Sequence, residues 1–593
     1  MKKATLSFIF LCFSMLFAGN VFAGSMVKAV QLSGDVPQHI AYTRIYDFLD
    51  ELANDGIIEI RSVVKPYSRK FIAGKLYDAA ERKEKLNSRQ RKEVEFFLND
   101  YALEINALEI NRLPETKLTI ARNENLTLAV VQPAFHYRDN YFRARITPIV
   151  GAEFQYNKNG TPASRTIGAE FQAMIGNISV WGSLRDMAFN DELLSRSQYL
   201  NNRPGYEYKE SESQTANYSD SRGGIKYSTS WGSIGLVKDN VVWGDNYHGS
   251  NILSGRTPSF PMITLQLKPV SWFQLDYFHG WLVSNVIDST RYYVENETVK
   301  HYRATNKFIA ANMLTFTPVK KLNISVGNSI IYAENNVQAA YFIPIAFYKS
   351  IDHTLTKGIK SENQNSQLFF NISSRNIKHL HLYTSVFADE ISFARFKPSN
   401  KETNPISYKI GAKLSNFPLP NVSLLGEYTR SNIITYKHSI PAISWASNDY
   451  NLGSYLGDNA REIYFELQYK PLRGLDLSLS YLNAVHGNEY EYLRRDQNGV
   501  KQINNIISQD FIKDKVWKNS TCEFKALYEI TNNVYLGMNV TYSNIRGGKA
   551  TGTAIPGEIR PENGSAQGYL DLYTPKFLQG KNFTVGGMLN IGF

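Results

Sequence analysis

The sequence predicts an all-β transmembrane barrel of about 18 antiparallel strands, with an N-terminal α-helical bundle that closes its periplasmic end. Three observations lead to this fold class. Apolar residues recur with a period of two after Pro114, and short and long connections alternate from about residue 160 onward. Beyond the first 23 residues, no stretch is long and apolar enough to span a bilayer as a helix.

The N-terminus has the features of a signal peptide. Lys2 and Lys3 form a basic start, an apolar stretch runs from Ala4 to Ala18, and Val21-Phe22-Ala23 precedes a cleavage site at Gly24. The apolar stretch is shorter than a membrane-spanning helix, and no Cys follows the cleavage site. Residues 1–23 are therefore predicted to be a cleaved signal peptide, and the mature chain to be exported.

Charge and cysteine content agree with an exported chain. The formal net charge is +11, and loss of Lys2 and Lys3 with the signal peptide lowers it to +9. A basic exported protein favours anionic partners, such as acidic polysaccharide, lipopolysaccharide and outer-membrane lipid, whereas nucleic acid does not belong to this compartment. Because Cys12 also leaves with the signal peptide, Cys522 alone remains and no internal disulfide can form.

Residues 24–112 are predicted to form the helical bundle. Apolar side chains follow a helical period as far as about Leu108, with Gly56 as a stop after the first helix. Ser68 is the expected N-cap of a second helix, and Asn87 with Gln90 forms the expected capping box of a third. The stripe of the first helix consists of Ile40, Ile45, Phe48, Leu49 and Leu52.

Residues 113–593 are predicted to form the outer-membrane β-barrel. Between Tyr141 and Tyr156 the side chains alternate between an apolar face and a polar face, and the same alternation recurs in residues 322–326 and 475–481. The apolar face carries Phe142, Ala144, Ile146, Val150, Ala152, Phe154 and Tyr156, and the polar face carries Arg143, Arg145, Thr147, Glu153 and Gln155.

The lengths of the connections predict which way the barrel faces. Tight turns at Gly176-Asn177, residues 230–232, 318–321, 472–474 and 531–533 alternate with long polar segments. Such barrels have short periplasmic turns and long extracellular loops. The long segments are therefore expected outside the cell. They lie near residues 190–220, 244–259, 286–299, 335–365, 395–405, 436–459, 487–517 and 547–582.

Two segments have further interpretations. Residues 126–140 also look like strand, either as one more barrel strand or as a link between the helices and the barrel, and the sequence does not decide between them. The chain ends in an apolar alternation that finishes with Phe593. A terminal aromatic residue resembles the signal that the barrel-assembly machinery reads, so this machinery is an expected partner during biogenesis.

No motif points to catalysis or to a cofactor. The histidines are scattered without metal-ligand spacing, so no metal site or cofactor is expected. Glu427 and Asp389 could form an acid–base pair, but a structural role in a charged barrel interior is favoured. The chain is therefore predicted not to be an enzyme, although a barrel enzyme that acts on lipid or glycan is a third interpretation.

A series of motifs runs along the chain, in which Trp243-Gly244 is followed by residues 249–253, Pro258 and Thr264-Leu265. Their order and spacing resemble the capsule assembly Wzi family, and the resemblance covers nearly the whole mature chain. The family has Trp-Gly-Pro-Gly at the first position, where this chain has Asp245 and Asn246. Further similar segments contain Gly249, Ser250, Phe278, Glu427, Tyr428, Tyr436 and Gly457.

The resemblance implies an 18-stranded barrel, closed by helices, that binds exopolysaccharide and holds the capsule on the cell surface. Its motif residues Trp243, Gly244, Gly249, Ser250, Glu427, Tyr428 and Gly457 are expected to have a structural or a binding role. The alternative function is an outer-membrane channel or transporter with a helical plug. For glycan binding, aromatic rings can stack on pyranose faces and basic groups can pair with uronates. The candidates are Tyr247, His248, Arg256, Tyr436, Lys437, His438, Trp445, Arg494 and Arg495.

Overall fold

The computed structural model describes residues 34–106, 119–122, 126–129, 134–139, 141–190, 196–206, 215–296, 299–356 and 364–592. The predicted signal peptide, the predicted boundary between residues 112 and 113, and Phe593 lie outside these ranges. Among the described helices, none is long and apolar enough to cross a membrane.

The N-terminal part is helical, as predicted. Helices α1 (Thr43–Asn54), α2 (Arg69–Ala80), α3 (Ser88–Asp100) and α4 (Ala102–Asn106) follow one another along the chain. The predicted caps are present: Ser68 accepts a hydrogen bond from the Phe71 amide at 3.0 Å, and Asn87 and Gln90 form a reciprocal capping box. The apolar faces of these helices pack together, and the buried side chains include Ile45, Phe48, Leu49, Leu52, Ile72, Leu76, Val94 and Phe97.

Eighteen antiparallel strands close into a barrel, which confirms the predicted fold class. Their bounds are β1 (Phe142–Tyr156), β2 (Ala163–Ile175), β3 (Ile178–Asn190), β4 (Thr215–Ser228), β5 (Gly232–Asp239), β6 (Phe260–Val270), β7 (Phe273–Leu282), β8 (Lys307–Val319), β9 (Leu322–Tyr332), β10 (Gln364–Ser374), β11 (Leu380–Ala388), β12 (Ile406–Ser415), β13 (Val422–Ser431), β14 (Ala460–Leu472), β15 (Leu475–His486), β16 (Trp517–Thr531), β17 (Val534–Gly547) and β18 (Gly580–Ile591).

The barrel closes between β18 and β1, where Val585 pairs with Tyr156 and Ile591 with Val150. The first residues of β1 pair instead with a short strand, Phe135–Arg138, which continues through Leu126–Ala129 to Thr119–Arg122. The segment that the sequence left open is therefore a small meander that extends the sheet beside the lower half of β1. It is not a full barrel strand.

The predicted alternation separates an outer face from the lumen. In β1, Val150, Phe154 and Tyr156 are 49%, 53% and 61% exposed, whereas Arg143 and Gln155 are buried. A belt of exposed apolar residues on the outer face suits contact with lipid, and polar residues fill the inside.

The helical domain lies at the end of the barrel that carries the short turns. Arg89 of α3 donates a hydrogen bond to Asn421 at 2.8 Å, and the His379 amide donates to the carbonyl of Asn54 at 2.7 Å. Asn532 donates to the Phe96 carbonyl at 2.9 Å. Asn421, His379 and Asn532 belong to three different short turns, so the helices close this end, as expected.

The long connections contain the remaining regular elements. They are helices α5 (Tyr348–Leu355), α6 (Ile503–Ile507) and α7 (Ala566–Tyr573), and the short strands Val242–Trp243, Leu253–Ser254, Ile287–Glu295, Val299–Ala304, Ala446–Ser447, Tyr450–Asn451, Glu489–Tyr490 and Glu558–Ile559. One more short strand, Val64–Lys65, precedes the barrel.

Candidate functional site

Residues 240–259, which connect β5 to β6, fold into the barrel. We call them the inward segment. Asn251 within it is fully buried and donates hydrogen bonds to the carbonyls of Ser385 at 3.2 Å and Ser407 at 3.0 Å. These two residues belong to β11 and β12, several strands away from β5 and β6. The inward segment therefore reaches across the lumen.

The inward segment is joined to the helical domain by a small sheet. Val64–Lys65, between α1 and α2, pairs with Val242–Trp243, which pairs in turn with Leu253–Ser254. The Gly244 amide also donates to the Val63 carbonyl at 3.0 Å. The helical domain and the inward segment consequently occupy the barrel as one connected body.

The motif residues of the inward segment shape its backbone. Trp243 is buried, with its ring edge-to-face against Phe278 at a centroid distance of 5.2 Å. Gly244 and Gly249 have φ values of 91° and 78°, which a residue with a side chain adopts only at a cost. The Ser250 hydroxyl donates to the Trp243 carbonyl and closes the loop on itself. These contacts favour the structural role of the four motif residues.

Asp245 and Asn246, where the chain departs from the family's Trp-Gly-Pro-Gly pattern, still hold the turn. The Asp245 amide donates to the side chain of Asn371 at 3.1 Å, and Asn371 donates back to the Asp245 carboxylate at 2.8 Å. Asn246 donates to the Gly244 carbonyl at 2.8 Å. Side-chain hydrogen bonds thus replace the backbone restriction that a proline would supply.

Glu427 of β13 anchors the inward segment. Its carboxylate accepts hydrogen bonds from the backbone amides of Tyr247 at 2.8 Å and His248 at 3.1 Å. It also forms a buried ion pair with Lys409 at 2.7 Å and accepts a hydrogen bond from the Tyr383 hydroxyl. All four donors are protein groups, so the arrangement supports the structural interpretation of Glu427 over a catalytic one.

Tyr247, His248 and Arg256 line an internal cavity. The Tyr247 hydroxyl is 2.9 Å from Nδ1 of His381, and the His248 ring stacks on Tyr464 at a centroid distance of 3.9 Å. Arg256 donates to the Tyr199 carbonyl at 2.9 Å. All three predicted residues are therefore brought to one region, although each already has a partner within the protein.

The cavity has a volume of about 1490 Å³ and lies between the helical domain and the long connections. Its wall combines apolar and polar side chains, and the polar ones lie on the lumen-facing side of β14 to β17. These include Glu466, Gln468, Ser478, Ser480, Asn519, Thr521, Glu523, Lys525, Asn539 and Thr541.

The cluster near residue 440 is buried more deeply than the sequence suggested. Trp445 is fully buried, and its indole N–H donates to the Ile252 carbonyl at 3.0 Å. Tyr436 is also buried and donates to the Asn251 carbonyl at 2.7 Å. Both aromatic rings pack against the inward segment and are too deeply buried to stack on a sugar ring, which disfavours the predicted binding role of Tyr436 and Trp445.

The other candidates are more peripheral. Lys437 forms ion pairs with Glu489 and Asp458, and His438 stacks near Tyr492 at a centroid distance of 5.7 Å. Burial alone would raise the pKa of the Glu489 carboxylate, but the charge of Lys437 outweighs it and holds the pKa below its usual range.

Arg494 and Arg495 are exposed in the connection between β15 and β16, where Arg495 donates to the Gly499 carbonyl at 2.7 Å. Tyr428 lies on the outer face of β13 beside Tyr408 at a centroid distance of 6.1 Å. Gly457 occupies a turn with a φ of 68°. Of these four residues, Arg494 and Arg495 are therefore exposed to solvent in a long connection. The positions of Tyr428 and Gly457 indicate structural roles.

Sequence reasoning missed a set of buried ion pairs that fasten the helical domain to the barrel. Arg44 of α1 pairs with Glu93 of α3, with Asp476 of β15 and with Glu529 of β16. Three further pairs in which both side chains are buried join the domain to the barrel: Arg145 with Asp100 at 3.1 Å, Arg375 with Asp50 at 2.6 Å, and Lys470 with Glu51 at 3.0 Å. Alternation marked such residues as lumen-facing, but it could not show their partners.

Within the described ranges, no group of three or more His, Cys, Asp or Glu side chains could hold a metal ion.

Comparison with known proteins identifies the family. The family model for capsule assembly protein Wzi matches residues 185–546, which is more than half of the chain. The chain belongs to this family. A search of the curated proteins finds no match.

Among solved structures, the chain is similar to Wzi of Escherichia coli, described as an outer-membrane, carbohydrate-binding β-barrel involved in group 1 capsule assembly. The two share 12% identity and a TM-score of 0.54, and the match covers 94% of this chain and 99% of the other. Pseudomonas aeruginosa OccD3 has 9% identity, a TM-score of 0.37 and coverages of 75% and 91%. Acinetobacter baumannii OccAB2 has 9% identity and a TM-score of 0.38, and the match covers 75% of this chain and 97% of the other. The first similarity confirms the predicted fold, and this Wzi-family protein is an outer-membrane β-barrel.

Proposed function

We propose that this protein is a non-enzymatic, lectin-like barrel that binds surface polysaccharide and supports capsule assembly and attachment. The observation that carries this proposal is that the helical domain and the inward segment, joined by one small sheet, obstruct the lumen of a Wzi-family barrel. A barrel obstructed in this way is suited to present a binding surface rather than to pass solute. The carbohydrate binding described for the Escherichia coli protein supports the same function.

The binding residues form two groups. Arg494 and Arg495 supply exposed basic groups in the connection between β15 and β16. His438, which stacks near Tyr492, and Lys437, which pairs with Glu489, lie beside the same connection. Tyr247, His248 and Arg256 line the internal cavity. Weak contacts with successive repeats of one polymer would add through avidity, so no single residue has to carry the affinity.

The lipid-facing apolar belt and the basic net charge support outer-membrane lipid and lipopolysaccharide as further partners. The barrel-assembly machinery is the proposed partner during insertion. None of these partners requires chemistry from the chain, and the lumenal carboxylate Glu427 is occupied by its four donors.

A channel or transporter with a helical plug is the second candidate, and the lumenal cavity of about 1490 Å³ favours it. The buried ion pairs oppose it, because removing the plug would expose or unpair several charges at once. Conductance of the full-length protein in planar bilayers separates the two functions. We expect no steady current, and a stable open pore that persists when residues 24–112 are deleted would support the channel.

Binding of the purified protein to a glycan array tests the main proposal. The expected result is binding to one or a few extracellular polysaccharides, with preference for acidic ones. Absence of binding to every glycan tested, together with a stable current in bilayers, would overturn the proposal.

A further inference from the structure

The connection between β7 and β8 contains an antiparallel hairpin, formed by Ile287–Glu295 and Val299–Ala304. We call it the outer hairpin. Its strands pair with each other and, within the described part of the chain, with no other strand. Tyr292, Tyr302 and Tyr293 are 46%, 50% and 54% exposed, so both faces of the hairpin reach solvent. Aromatic rings that are about half exposed on a two-stranded sheet are candidates for contact with a ligand.

One face of the outer hairpin combines two aromatic rings with a cation. Tyr292 is directly opposite Tyr302, and Val294 is opposite Lys300, so these four side chains share a face. The two tyrosine rings lie 5.8 Å apart at an interplanar angle of 56°. The Lys300 ammonium lies 4.6 Å from the centre of the Tyr292 ring, and it remains exposed.

The opposite face is built from similar residues but is already satisfied. Tyr293 stacks on His301 at a centroid distance of 4.8 Å and an interplanar angle of 12°. Nε2 of His301 lies 2.6 Å from the Glu295 carboxylate. This face therefore offers one ring that is stacked on an imidazole and a carboxylate, and a carboxylate disfavours an acidic ligand.

We propose that the face formed by Tyr292, Lys300 and Tyr302 is a binding site for an acidic polysaccharide. The inference rests on the proposed function and assigns part of the binding to a segment outside the inward segment. The hydroxyphenyl rings stack on the C–H faces of successive pyranose rings, and the ammonium pairs with a uronate carboxylate. The hairpin lies at the long-connection end of the barrel, since it joins the end of β7 to the start of β8.

The charge around the face agrees with an acidic ligand. Arg291, Lys300 and Arg303 carry positive charge within the described strands, against Asp288 and Glu295. Only one of the two faces, however, has its cation next to two tyrosine rings. A ligand with both carboxylates and apolar ring faces matches that combination, whereas a neutral glucan matches the rings alone.

The test uses the purified full-length protein in detergent and immobilised polygalacturonate, with dextran as the neutral polymer. The double variant Tyr292→Ser/Tyr302→Ser and the single variant Lys300→Gln remove the proposed site. Tyr293→Ser is the matched control, because this ring is equally exposed on the other face of the same hairpin. Heat-dependent mobility in gels confirms that each variant forms the barrel.

We expect the double variant to raise the Kd for polygalacturonate about tenfold, because two ring contacts are lost. Tyr293→Ser should leave the Kd unchanged. Lys300→Gln should weaken polygalacturonate binding but not dextran binding. Binding by the double variant equal to that of the unmodified protein would overturn this inference and leave the proposed function intact. Absence of binding by the unmodified protein to both polymers would count against the proposed function itself. Binding of the hairpin face to anionic phospholipid vesicles, lost in the double variant, would replace the polysaccharide by a lipid surface.

Discussion

At the short-turn end, the barrel meets the helical domain through buried ion pairs. At the long-connection end, aromatic rings and hydrogen bonds to backbone carbonyls hold the segments together, along with the ion pairs of Lys437. Arg44 and Glu529 are 5% and 0% exposed as side chains at the first end. Trp445 and Tyr436 donate to backbone carbonyls of the inward segment below the second end. Removal of one side chain therefore leaves an unpaired buried charge at the first end and an unpaired backbone carbonyl at the second.

This difference separates the attachment of the helical domain, at the short-turn end, from the proposed recognition of a polysaccharide at the long-connection end. A buried charge that loses its partner remains desolvated, so each ion pair at the short-turn end resists separation of the domain from the barrel. The long-connection end keeps rings and cations in solvent, at Tyr292, Lys300 and Arg494. Groups that already have water around them can exchange it for a ligand at low cost.

The largest effect is expected for Arg44→Met, which leaves Glu93, Asp476 and Glu529 without their shared cation. We expect it to destabilise the attachment of the helical domain by about 3–5 kcal/mol. Hydrogen exchange of α1 and α3 measures this as lost protection. Lys75→Met, which breaks the surface pair with Asp78 at 3.1 Å, is the control and should cost about 0–1 kcal/mol. Equal exchange in the two variants would contradict the fastening role of the buried pairs.

Glu427→Ala is expected to release the inward segment. The variant leaves Lys409 buried without its carboxylate and removes the acceptor of two backbone amides, at an estimated cost of roughly 3 kcal/mol. Hydrogen exchange at residues 244–250 should increase while α1 and α3 stay protected. Glu466→Ala, which removes another lumenal glutamate with no bond to the inward segment, is the matched control. No change at residues 244–250 would show that Glu427 is not the anchor.

Acid should weaken the contribution of Glu51 to the attachment of the helical domain. Burial alone would raise the pKa of Glu51, but the charges of Lys470 and Arg89 outweigh it and hold the pKa well below its usual range. The stability that this carboxylate contributes is fully present above pH ~4.3 and is lost at lower pH, by about 1.4 kcal/mol per unit. Unfolding followed between pH 7 and pH 3 should show this slope, and Glu51→Gln should reduce it. A pH-independent difference between the two proteins would contradict it.

The smallest effect on stability is expected at the exposed arginines. Arg494→Ala/Arg495→Ala should leave thermal unfolding unchanged, because both side chains are exposed. Affinity for an acidic polymer should fall, and the loss should shrink as salt is raised, because exposed charges are screened. Unaltered affinity at low ionic strength would remove these residues from the proposed binding surface.

Much of the fold could be predicted because alternation and connection length are local properties of the sequence. The outward Val150 and inward Arg143 of β1 follow from a period of two, and the Asn87–Gln90 capping box follows from residue types at fixed spacing. The strand number of about 18 and the closure by helices at the short-turn end were also correct.

The site could be predicted in part, because long-range partners have no local signature. Tyr247, His248 and Arg256 do come together at one cavity. The sequence predicted Tyr436 and Trp445 to be exposed aromatic residues of a loop. They are buried instead, and the inward segment supplies carbonyl acceptors for both. The partners of Arg44 are distant in sequence from it, at Asp476 and Glu529, and no spacing rule connects them.

The most direct test of the central claim is the amount of polysaccharide that stays bound to cells from which this protein has been deleted. We predict that the polymer is still made but moves from the cell surface to the medium, and that the full-length chain restores retention. A cell-bound polysaccharide layer that is unchanged by the deletion would contradict the proposed function.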